Sequence, residues 1–111
     1  MKQSVIIIFF ASCLLLSGCA GSLPHPTANH VSVIAHKFPF TVLSQLEEGR
    51  TLYIQKCSGC HTLRLPSEFT EEKWGTIIQE MKMKAKLDEE ESRKVLQYIV
   101  TIKVAENNLQ K

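Results

Sequence analysis

The 111 residues leave room for one small domain, and a formal net charge of +2 with 11 acidic side chains leaves no basic footprint for a nucleic acid. Hydrophobic residues make up 44% of the chain, but the run from Val5 to Leu16 supplies much of that and is set aside. What is left to fold, about 60 to 70 residues, rarely buries enough apolar surface to be stable without a disulfide, a metal or an organic cofactor.

The chain starts with a short cationic piece, Met1-Lys2-Gln3-Ser4, followed by an apolar run to Leu16. The run is apolar on every side and shorter than the roughly 20 residues that a bilayer-spanning helix needs, so it reads as an export signal. Leu16-Ser17-Gly18-Cys19 resembles the lipobox of bacterial lipoproteins, whose signal is cut just before the cysteine that receives the lipid. The resemblance implies that residues 1–18 are removed and that Cys19 is lipidated, anchoring the chain to a membrane without spanning it. An ordinary secretory signal cut nearby is the alternative, and both readings export the protein. Ala20, in place of Asp after the lipidated cysteine, implies in that family the outer membrane of a Gram-negative bacterium, facing the periplasm.

Residues 19–41 read as a flexible tether. From Gly21 onward they carry Pro24, Pro26, Asn29 and Pro39 with no sustained period, and offer one short extended piece, Val31-Ser32-Val33-Ile34. His25, His30 and His36 read as polar linker residues, because none has a partner at metal-ligand spacing.

The folded part is expected over residues 42–111 as three helices. The first runs from about Leu46 to Lys56, with Ser44 and Glu47 spaced as a capping box. Gly49 costs this helix roughly 1 kcal/mol relative to Ala, which points to a second helix crossing closely there. The second helix follows Thr70 as N-cap, with Glu71 and Glu72 on the positive end of its dipole and Trp74, Ile77, Ile78 and Met81 on one face. The third starts at Asp88, with Glu91 completing a capping box, and carries Val95, Tyr98, Ile99 and Ile102 on one stripe. No stretch alternates as a strand does, so the fold is expected to be all-α. Three short helices with so few large apolar side chains would not close a core by themselves, but they could wrap a large flat hydrophobic object.

Cys57-Ser58-Gly59-Cys60-His61 has the form of a c-type haem attachment site. Two cysteines three apart on a helical turn reach the two vinyl groups of one haem edge, and the next residue, His61, is aimed at the iron. The other uses of such a pair fit less well. Zinc would need a second pair of ligands further on, and no Cys or His follows His61. A redox dithiol would need a βαβ setting that the chain lacks. A plain structural disulfide fits little better, and with Cys13 in the signal and Cys19 in the lipobox every cysteine has a fate and no odd thiol remains.

Beyond the pentapeptide, the stretch from Glu47 to Thr101 resembles a small class I cytochrome c domain. In that family a glycine and an aromatic residue, eight and four positions before the first haem cysteine, pack on an aromatic of the last helix; Gly49, Tyr53 and Tyr98 stand at those places. The resemblance implies one covalently attached haem c, with Cys57, Cys60 and His61 holding it.

The far side of the iron needs a ligand, takes water or stays open. Met81 and Met83 are the methionines that follow the haem motif, and helical periodicity favours Met81, which shares the face of Trp74 and Ile77. A soft thioether ligand stabilises ferrous iron and raises the potential, which suits an electron carrier. Met81 could equally be a core gap-filler. Pro66 reads either as a turn proline or as a carbonyl for the His61 ring N–H, and Trp74 either as core or as a wall against the haem or a propionate. Lys82, Lys84 and Lys86 read as a solvated helix end or as a steering patch for an acidic partner.

The function expected is one-electron transfer with periplasmic or membrane redox proteins, with no substrate transformed and no catalytic residues. The rivals are a haem-based sensor or small-ligand binder with a displaceable sixth ligand, and a structural lipoprotein without cofactor.

Overall fold

A computed structural model describes residues 23–58 and 62–111. The described residues form four α-helices and no strand: α1 (Ala28–Ile34), α2 (Leu43–Cys57), α3 (Glu71–Lys84) and α4 (Glu89–Leu109), with a 3-10 turn at Pro66–Glu68 between α2 and α3. The fold is all-α, as expected. The signal and lipobox readings, Cys19 included, fall outside the described residues, as do Gly59, Cys60 and His61.

The longest element, α4, has 21 residues and spans roughly 30 Å. Its start is fixed by a reciprocal cap: Glu91 N donates to Asp88 Oδ1 at 2.8 Å and Asp88 N donates to Glu91 Oε2 at 3.0 Å. The expected stripe is fully buried, with Val95, Tyr98 and Ile99 at 0% exposure and Ile102 at 1%. Burial continues around the helix through Gln97, Val100 and Thr101, because α1, α2, α3 and the 3-10 turn all pack on it.

The main interface is the crossing of α2 on α4. A Cβ at Gly49 would sit 2.1 Å from the Lys94 carbonyl oxygen and 3.0 Å from Tyr98 Cβ, so the glycine is what lets the two backbones touch. Leu46 and Tyr53 are buried beside it, and Lys94 clasps Glu48 across the crossing while pairing with Glu90 on its own helix. The start of α2 differs from the expected one. The N-cap is Val42, whose backbone N–H donates to Gln45 Oε1 at 3.3 Å, and Ser44 lies inside the first turn. The amide of Gln45, two positions earlier than Glu47, supplies the side-chain acceptor, so the helix begins sooner.

Thr70 caps α3 as expected, accepting from Lys73 N at 3.1 Å. The other end is a Schellman turn, in which Leu87 N donates to the Lys82 carbonyl at 2.9 Å and Lys86 N to that of Met83 at 3.3 Å. Lys86 takes the left-handed position, with φ 55°, that such turns usually give to glycine.

The stretch expected to be tether is folded from Leu23 onward. Val31-Ser32-Val33-Ile34 is helical, not extended, because Thr27 and His30 cap one another and Ile34 is completely buried against the domain. These contacts override the weak extended preference of three β-branched residues in four.

Candidate haem-binding site

Cys57 is the last residue of α2 and is 4% exposed. It lines a narrow cleft with Tyr53 of α2, Arg64 and Phe69 of the following segment, and Trp74, Ile77, Ile78 and Met81 of α3. Of the two candidate methionines, Met81 lies on the cleft, while Met83 points away and is 86% exposed.

The walls are held by two aromatic residues with polar handles. The Trp74 ring, 1% exposed, meets Phe69 edge-on at 5.3 Å between centroids and Tyr53 at 6.2 Å. Its indole Nε1 donates to the Pro66 carbonyl at 2.9 Å. Trp74 is therefore both core and cleft wall, and its N–H is committed to the backbone, which argues against its reaching a propionate. The Pro66 carbonyl, which was one candidate acceptor for the His61 ring, accepts from Trp74.

Tyr53 ties down the chain that leaves the haem motif. Its hydroxyl donates to the Arg64 carbonyl at 2.7 Å and accepts from Arg64 N at 3.1 Å. Burial pushes the Tyr53 phenol up to about 12, against the opposing pull of the Arg64 backbone bond. The chain is thus pinned at Arg64 by Tyr53 and at Pro66 by Trp74. Glu68 adds a third tie, its Oε1 accepting from Leu65 N at 3.1 Å.

The described residues suit one edge and one face of a haem chemically. They offer a buried thiol for a thioether, aromatic and aliphatic walls that exclude water, and a soft sulfur on the facing helix. The cleft among the described residues is narrow, enclosing about 30 Å³. Two wall residues were not foreseen. Phe69 carries a readable signal, since it directly precedes the Thr70 cap and packs on Trp74, the fourth residue after that cap, as in a hydrophobic staple. Arg64 carries none. In the lysine cluster, Lys82 is paired with Glu89.

A family model described as dihaem cytochrome c matches residues 53–111, a region that includes Cys57, Cys60, His61 and Met81. No curated protein and no solved structure gives a significant match.

Proposed function

The chain belongs to the dihaem cytochrome c family, and on that premise we propose that it is a one-electron carrier holding a single haem c. Cys57 and Cys60 would form the thioethers, and His61 and Met81 would hold the iron. The observation that carries the proposal is the meeting of Cys57 and Met81, far apart in sequence, in one apolar cleft.

The family description implies two haems, but these 111 residues contain one Cys-x-x-Cys-His motif. The other two cysteines, Cys13 and Cys19, are followed by Leu14 and Ala20 and lack an adjacent histidine. The motif count in these residues supports the reading of one covalent haem here.

The bound haem supplies the one-electron couple. Met81 would contribute a soft sulfur that favours the reduced state, and the apolar cleft walls would favour the lower charge. Tyr53 and Trp74 hold Arg64 and Pro66, and so fix the chain shortly after the haem motif. On this reading no described residue is assigned as a general acid, base or nucleophile for a substrate. The apolar start and Cys19 support export, with lipid anchoring at a periplasmic membrane surface, and redox proteins there are the partners proposed. No described helix is long and apolar enough to cross a membrane.

The test is a pair of variants. Met81→Ala should abolish the weak far-red sulfur-to-iron band of the ferric protein, while Met83→Ala leaves it intact; the reverse result refutes the ligand assignment. Rapid spectral change when carbon monoxide is added to the reduced native protein would favour a ligand-binding role over a closed electron carrier.

A further inference from the structure

Leu23 is held fast by the helices of the domain. It is 6% exposed and belongs to the hydrophobic core. Its carbonyl accepts from the Arg50 guanidinium through Nε at 3.2 Å and Nη2 at 3.0 Å. The next carbonyl, that of Pro24, accepts from the Tyr98 hydroxyl at 2.7 Å. Arg50 is on α2 and Tyr98 on α4, so the two main helices grip consecutive backbone carbonyls of the entering chain. The grip at Leu23 is charge-assisted and made twice by one guanidinium. Beyond it, α1 packs on α4 and buries Ile34.

This fixed point changes what the N-terminal segment can do. Cys19 precedes Leu23 by four residues, and four residues of fully extended chain reach at most about 14 Å. A free leash over residues 19–41 would instead reach on the order of 70 Å when extended, with a typical end-to-end distance of roughly 25 Å. We infer that the domain is strapped against the headgroup layer of its membrane, with the Arg50–Leu23 and Tyr98–Pro24 bonds as the buckle. It exchanges electrons at that surface and does not reach partners in the open periplasm. The inference rests on the lipid-anchor reading of Cys19.

The test uses the full-length acylated holoprotein in phospholipid vesicles carrying a headgroup-linked fluorophore, whose emission the haem quenches by energy transfer at short range. Inserting about 12 Gly/Ser residues between Gly21 and Ser22 adds up to roughly 40 Å of reach. The native protein should quench strongly, and the insertion variant several-fold less. Arg50→Ala, checked by an unchanged haem spectrum, should expose the chain around Leu23 to protease when the native protein resists. Equal quenching by the native and insertion proteins, with Cys19 acylated and both floating with the vesicles, overturns the strap and leaves the anchor standing. An N-terminal peptide without acyl groups overturns both.

Discussion

Replacing Gly49 with Ala sets two effects of opposite sign against each other. Alanine favours a helix interior by about 1 kcal/mol over glycine, so an exposed Gly49 would gain stability. Here the new methyl would lie 2.1 Å from the Lys94 carbonyl oxygen, more than 1 Å inside ordinary contact, and 2.7 Å from its carbon. The opposing atoms are backbone and cannot rotate aside, so α2 and α4 must separate. Overpacking of this kind costs about 1–3 kcal/mol, and the separation also loosens Leu46 and Tyr53, whose full burial is worth roughly 1.5–3 kcal/mol each. The net expectation is a loss of about 2–4 kcal/mol, a large share of a small domain's stability. In thermal unfolding followed by far-ultraviolet circular dichroism this corresponds to a fall in Tm of roughly 10–20 °C. A Gly49→Ala protein as stable as the native one would refute the close helix crossing on which the fold is built.

Three further expectations follow from the same physics. Gly75 lies inside α3 with open space around its absent side chain, so Gly75→Ala should stabilise by up to about 1 kcal/mol, read as a higher urea midpoint with an unchanged slope. Lys86 holds a left-handed conformation that costs a non-glycine residue about 1–2 kcal/mol; Lys86→Gly should recover part of that, also seen as a higher midpoint. Tyr53 and Tyr98 are both buried and pushed up to about 12. The folded state therefore binds these protons more tightly than the unfolded chain does, and their contribution is full below pH 10 and lost as the pH rises from 10 to 12. Urea unfolding across that window should show declining stability, and a flat profile would contradict the burial of the two phenols.

Much of the domain was legible because its signals are local. Asp88 with Glu91, Thr70 ahead of its acidic turn, and the stripes of Trp74 and Val95 each fix an element through neighbours within one or two turns of helix. Gly49 pointed to a crossing because a glycine in mid-helix needs a reason. The parts that were missed depend on distant partners. Val31 to Ile34 looks extended by propensity, yet Ile34 is buried by α4, which lies some sixty residues further on in the sequence. The grip of Arg50 and Tyr98 on Leu23 and Pro24 is made to backbone carbonyls, which leave no trace in the pattern of the gripped residues. In the cleft, the stripe on α3 placed Met81 on the same face as Trp74, and the wall from Arg64 became visible only once Tyr53 had folded the chain back on itself.

One haem is attached at one place on the chain in the function proposed above. Trypsin cuts after Lys56 and Arg64, so the motif is released as the single peptide Cys57–Arg64. Mass spectrometry of the digested protein, made in cells with haem-attachment machinery, should find one haem on that peptide and none elsewhere. A bare peptide, or a second haem on another part of the chain, would contradict the account.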